Sequence, residues 1–253
     1  MAEMRQLHAY DCALRGCLMV REIVRTIARV AVAGVLLGAG LVCATPAVAL
    51  PQTCPPTCDQ IPATAWPAPA SIPLNSHYHW PQLAGIAVAA PAPRFRFEEF
   101  CRTPQLPGDP SAYAIAEKAV VGGPDGQWQL QAQIIHWRGD TSTGGQAAQS
   151  VFNGANLALR LCPVTAPQFA VTLTTDSIDR TAAVLTAPGM IVHHYVLSHP
   201  QSSTVSELVL WNTTTPGGSA QVPWPSGADT VADAQVFDAM SAPLCKAYLS
   251  SCG

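Results

Sequence analysis

Gln127-Trp128-Gln129-Leu130-Gln131-Ala132-Gln133-Ile134-Ile135-His136-Trp137 is the stretch that decides the fold class of this chain. Trp128, Leu130, Ala132 and Ile134 alternate with Gln127, Gln129, Gln131 and Gln133. Side chains of a strand point to opposite faces with period two, so this pattern predicts a β-strand over 127–137. The apolar set would face a core and the glutamines would face water.

Downstream, a Gly/Ser/Thr loop (139–145) leads into a predicted helix over about 146–161. Ala148, Val151, Phe152, Ala155, Ala158, Leu159 and Cys162 recur at spacings of three and four, which puts one stripe on the core. Pro163 is expected to stop that helix. Four further strands are expected at 169–174, 181–186, 190–198 and 205–211, separated by turn residues such as Pro188-Gly189 and His199-Pro200-Gln201-Ser202. Their short spacing favours antiparallel hairpins. After a Pro/Gly/Trp loop (213–227), a last helix is expected from near Asp229, with Val236, Phe237, Met240 and Leu244 as its apolar stripe. Pro243 is expected to end it, followed by a second short turn that Ser241 would cap. The order strand, helix, antiparallel strands, helix predicts an α+β domain: a mostly antiparallel twisted sheet with two main helices packed on one face, reinforced by disulfides.

Upstream, Phe97-Glu98-Glu99-Phe100-Cys101 is short enough for a single helical turn. Residues 50–93 carry ten prolines, which block helices and central strands, and so read as an irregular arm. Such an arm is either a spacer or a strap across the domain; Trp66, Tyr78 and Trp80 imply that parts of it pack. The organisation expected is therefore an N-terminal extension with a signal peptide (1–49), a Pro-rich arm (50–93) and one α+β domain (94–253).

The N-terminus gives the expected address. Arg21, Arg25 and Arg29 precede an apolar run from Val30 to Cys43, and Ala47-Val48-Ala49 is a small-x-small cleavage pattern. The run of 14 residues is shorter than the roughly 20 that a membrane-spanning helix needs. Cleavage after Ala49 is therefore expected over an uncleaved anchor, leaving no stable membrane span. Met19, directly before the basic stretch, is an alternative start. Cys43 follows Val42, too large a residue for a lipoprotein signal. Secretion, either free or with retention at the cell wall, is the expected localisation.

Six cysteines follow the cleavage site: Cys54, Cys58, Cys101, Cys162, Cys245 and Cys252. An even number in an exported chain argues for disulfides rather than metal, and their pairing is open. From Leu50 onward there are 8 basic and 13 acidic residues, a net charge of −5. No basic patch is available to neutralise phosphates, which excludes nucleic acid as a partner.

The layout resembles the extracellular sensor domain of mycobacterial receptor-type Ser/Thr kinases (PknH-like) and related exported proteins. The residues that carry the resemblance are FEEFC (97–101), the Gln-rich strand and AAQSVFNGANLALRLC (147–162). It covers roughly residues 95 to 249. It implies a Cys101–Cys162 bridge and a cleft that binds a ligand, with no kinase segment in this chain. The family's second cysteine pair on later strands has no counterpart in IVHHYVLSH or VSELVLWN.

Candidate chemistry is sparse. His77, His79 and His194 are weak metal candidates; surface or hydrogen-bonded histidine is the plainer reading, and neither a metal nor a cofactor is expected. Trp137, Trp211 and Trp224 are candidate ligand-stacking aromatics at strand ends and in a loop. No G-x-S-x-G string is present, and Ser198-His199 are neighbours rather than a triad. The acid pairs Glu98/Glu99, Asp176/Asp179 and Asp229/Asp233 read as solvated faces or helix starts. Asn212-Thr213-Thr214 is a glycosylation-type sequon. The function expected is an exported non-catalytic domain that binds a small ligand or an envelope component; the alternative is a secreted hydrolase with a dispersed active site.

Overall fold

The strand expected around Leu130 is an inner strand of a seven-stranded sheet in this computed structural model, which describes residues 59–105, 108–215, 218–225 and 232–248. These residues all belong to the unit Ala49–Gly253. The expected export signal and cleavage point, Met19, Cys43, Cys54, Cys58, Cys252 and Asp229 lie outside the described residues. The strands are β1 (Val88–Ala89), β2 (Ile115–Val121), β3 (Trp128–His136), β4 (Ala170–Asp176), β5 (Arg180–Ala187), β6 (Met190–His199) and β7 (Thr204–Thr213). Every pairing is antiparallel, in the order β1-β2-β3-β7-β6-β5-β4. The helices are α1 (Asn75–Tyr78), α2 (Arg96–Phe100), α3 (Thr141–Thr165) and α4 (Asp233–Ala247).

The α+β class and the antiparallel sheet are as expected, but the helices are divided between the two faces. α3 crosses from β3 to the far edge strand β4 and packs Ala148, Val151, Phe152 and Leu159 against Val192, Val196, Val205 and Val209. α4 packs Val236, Phe237, Met240 and Leu244 on the opposite face, against Leu130, Ile134, Leu208 and Leu210. The arm joins α4 there: Trp66, Ile72, Trp80 and Leu83 are buried in the same core. Trp80 Nε1 donates to the Pro73 carbonyl (2.8 Å) and Tyr248 Oη to the Gln60 carbonyl (3.0 Å). The described part of the arm is thus a strap, not a spacer.

Covering both faces explains why β6 and β7 are buried at nearly every position. It also corrects the expectation for the glutamines. Gln131 and Gln133 are 1% and 0% exposed, because their face of β3 lies beneath α2 and its flanking loops rather than in water. β2 pairs with β3 over seven residues and was not expected, since its Glu117-Lys118 centre masks the alternation.

Helix bounds differ for local reasons. α3 begins at Thr141, inside the expected loop, because the Asp140 carboxylate accepts from the Ser142 and Thr143 amides (3.0 Å each). Gly144 and Gly145 sit in that first stretch because the β6–β7 turn presses on it. A Cβ at Gly144 would lie 2.4 Å from Ser203 Oγ, and one at Gly145 would lie 2.7 Å from the Pro200 carbonyl oxygen. Pro163 falls within the last turn of α3, and Pro243 lies inside a continuous α4 rather than between two helices. A proline ring removes one helical hydrogen bond without obliging the helix to stop when its neighbours pack.

A disulfide joins Cys101, directly after α2, to Cys162 on α3, and both residues are fully buried. Cys245 is disulfide-bonded as well, to a partner that is not among the described residues. Among the described residues, no helix is long and apolar enough to cross a membrane.

Candidate ligand-binding cleft

Two polar groupings stand out, one on each face of the sheet. The first is closed. Glu207 on β7 and His194 on β6 have side chains with no exposed surface, and His194 Nε2 donates to Glu207 Oε1 (2.9 Å). The Arg96 backbone amide donates to the same oxygen (2.6 Å), and Gln131 Nε2 donates to Oε2 (3.0 Å). Phe97 of α2 meets the His194 ring edge-on at 5.0 Å. Three donors on one buried carboxylate satisfy its lone pairs and clamp α2 onto the sheet. Glu98, one residue further along α2, turns back to accept from the Phe95 amide (3.0 Å). Burial pushes its carboxyl up to about 7; the Phe95 amide and Arg94 pull down, and Glu207 and Asp109 push further up. Glu99 points outward instead and pairs with Arg96.

The second grouping is open. On the arm face a cleft of about 1150 Å³ runs between the strap (70–77), the loop 221–225 and the start of α4. Its loop wall is held by Trp128 Nε1, which donates to the Val222 carbonyl (2.8 Å), and by the Gln221 amide, which donates to the Gly126 carbonyl (2.8 Å). Its strap wall is held by the Trp80–Pro73 bond and by the Trp128 amide, which donates to Tyr78 Oη (3.1 Å). Trp224 is half-buried at the cleft wall. One face of its indole lies on the His193 imidazole, with ring centroids 3.5 Å apart and planes 7° apart. Trp128 completes the group, 5.6 Å from His193 and 5.1 Å from Trp224. Burial lowers the His193 pKa to about 4, with Asp233 opposing weakly, so the ring beneath Trp224 is neutral at neutral pH.

No protein-family model, no curated protein and no solved structure matches this chain.

The residues singled out in the sequence scatter over these two groupings. Trp224 lines the cleft. Trp137 and Trp211 are buried on the α3 face instead: Trp137 Nε1 donates to the Pro110 carbonyl (2.9 Å), and Trp211 packs against Phe100 beneath the Arg96 guanidinium. The three tryptophans therefore do not form one surface. His77 lines the cleft and His79 ends α1, both exposed, whereas His194 is buried across the sheet; the structure does not bring the three together. Ser198 contacts Gln149, and His199 meets Ser202 Oγ at 2.6 Å. Asp176 pairs with Arg160, and Asp233 accepts from Thr175 Oγ1 (2.6 Å). Asn212 is 1% exposed, which removes the sequon as a surface acceptor.

Sequence reading missed Glu207, Gln131 and the His193 platform. The signal for Glu207 was its position: a lone acid inside the apolar run Val205–Trp211, where a charge is retained only if it is partnered. The signal for His193 was adjacency, since neighbouring strand residues face opposite sides and His193-His194 must serve both.

Proposed function

We propose that this chain is an exported, non-catalytic binding domain of the cell envelope that holds a ligand or partner in the cleft between strap and α4. The observation that carries the reading is the division of polar groups. The cleft has an aromatic platform and, among its described lining residues, no acid, lysine or arginine; the acid–histidine pair lies closed beneath α2. A pocket with a few placed polar groups and an aromatic wall suits recognition rather than proton transfer. Two features support export: the basic–apolar–small pattern of residues 21–49 and the disulfide bonding of Cys101, Cys162 and Cys245. The sensor-domain resemblance points the same way.

A secreted hydrolase is the second reading, favoured by one observation: the Glu98 carboxyl, raised to about 7 beside Glu207, has the character of a general acid. It requires α2 to lift before substrate reaches Glu207.

Native mass spectrometry of protein purified from its own host tests the first reading. The expected result is a non-covalent adduct that is lost on denaturation and lost in Trp224→Ala. No adduct, together with ester or glycoside turnover abolished by Glu98→Gln, refutes it.

A further inference from the structure

The cleft's chemistry narrows the ligand class. Fixed charge is sparse: the described lining offers no Arg or Lys for an anion and no Asp or Glu for a cation, and its one titratable side chain is His77. An acyl chain is disfavoured by the side chains that line it. Asn75, Ser76 and Gln235, and the Gln221 amide nitrogen, would be covered by a chain that offers no hydrogen-bond partner, at a cost of about 1–3 kcal/mol for each polar group left buried and unpaired.

What remains is a neutral ligand with both a flat apolar face and many hydroxyls. The amides and hydroxyls of the walls donate and accept, as a polyol requires. Trp224 supplies the stacking element. His193 covers one face of the indole, and Trp224 borders the cleft. The C–H face of a sugar ring carries slight positive charge and is attracted to the negative face of an aromatic ring. Pro223 and Pro225 flank Trp224 and restrict the backbone that carries it, so little ordering entropy remains to be lost on binding.

We propose that the cleft binds a neutral oligosaccharide, with one sugar ring stacked on Trp224 and hydroxyls bonded to Asn75, Gln221 and Gln235. This rests on the binding-domain reading and specifies its ligand.

The test titrates neutral hexasaccharides (maltohexaose, cellohexaose, laminarihexaose and mannohexaose) into the oxidised mature chain, following heat and tryptophan emission. Hexagalacturonate and palmitate are the charged and apolar controls. At least one neutral hexasaccharide is expected to bind saturably and to shift tryptophan emission. Trp224→Ala should weaken it about tenfold or more while Trp224→Phe retains most of the affinity, because a ring face and not an indole N–H makes the contact. Asn75→Ala, which leaves the Trp224–His193 stack intact, should weaken binding without changing the emission of the free protein. Circular dichroism and urea titration separate lost binding from lost folding. Saturable binding of palmitate or hexagalacturonate that depends on Trp224, with no neutral sugar bound, overturns the sugar class and leaves the binding-domain reading standing. Neutral sugar binding that Trp224→Ala and Asn75→Ala leave unchanged overturns the assigned site. Turnover of a hexasaccharide overturns the binding-domain reading itself.

Discussion

Glu98→Gln should stabilise this protein at neutral and alkaline pH and leave it unchanged in acid. The Glu98 side chain is 19% exposed, and its pKa rises from 4.5 to about 7 on folding, chiefly by burial. An acid whose folded pKa is raised keeps a proton that the unfolded chain has released. Stability therefore falls as pH climbs from 4.5 to about 7, and levels off above that. At 1.36 kcal/mol per unit the upper bound is about 3 kcal/mol. Glutamine mimics the protonated acid and keeps an oxygen for the Phe95 amide, but it gives up the 3.6 Å pairing with Arg94, a partly exposed contact worth about 0.2–1 kcal/mol. The net gain expected is about 2 kcal/mol at about pH 8 and near zero at pH 4.5. The push of Asp109 and Glu207 acts only on a charged Glu98 and is part of the gain, whereas His193 and His199, whose lowered pKa values act in acid, are the same in both proteins. The histidine effects cancel in the difference. Urea denaturation under non-reducing conditions reads the result as a change in midpoint at constant slope. A variant that is less stable than wild type by the same amount at every pH refutes the reasoning, because it means Glu98 is ionised and held by Arg94.

Three other perturbations follow from the packing. Gly144→Ala should lose about 1–3 kcal/mol, since its Cβ would meet Ser203 Oγ at 2.4 Å and Cβ at 2.6 Å, whereas Gly154→Ala, which meets nothing within 4 Å, should gain about 0.5–1 kcal/mol; thermal melts that rank the pair the other way contradict the α3 placement. Replacing Cys101 and Cys162 by alanine should cost about 4 kcal/mol for a loop of 61 residues, read as a urea midpoint shift against the oxidised parent; an unshifted midpoint shows the bond to be dispensable. Glu207→Gln should cost about 1–3 kcal/mol, because one amide oxygen must replace two carboxylate oxygens that accept from Arg96, His194 and Gln131. Faster hydrogen exchange at the Arg96 amide is its local signature, and unchanged exchange there would mean that α2 is held by other contacts.

The period-two pattern at 127–137 made β3 legible, and the same reasoning found β4 to β7 within two residues at either end. What it misjudged was the meaning of the polar half. Alternation reports that a strand has two different faces, not that one of them is wet. Gln131 and Gln133 face a second core whose cover, α2 and the crossing helix α3, is built from residues on either side of β3 in the chain. No window centred on β3 contains that information. The same non-local cause put the two long helices on opposite faces. Once α3 crosses from β3 to β4, it occupies the face that α4 would have shared. The prolines misled in a similar way: a local rule ends a helix at Pro243, but Val236, Phe237, Met240 and Leu244 bury enough surface to carry α4 through it.

The site was less legible than the fold, because its parts meet only through the arm. Trp224 was visible as an aromatic between prolines, but its partner His193 lies 31 residues earlier, and the strap wall lies roughly 120 residues earlier still. The sheet then sorts the histidine pair. His194 turns toward α2 and is consumed by Glu207, while His193 turns toward the arm and backs the indole. One dipeptide thus serves a buried hydrogen-bonded clamp on one face and an uncharged stacking platform on the other. A duplicated histidine in a doubly covered strand is therefore weak evidence for metal, because its two rings are separated by the sheet itself. That separation also sets apart the two functional readings of this chain. Chemistry that needs Glu207 must open the α3 face, and recognition at Trp224 needs no opening at all.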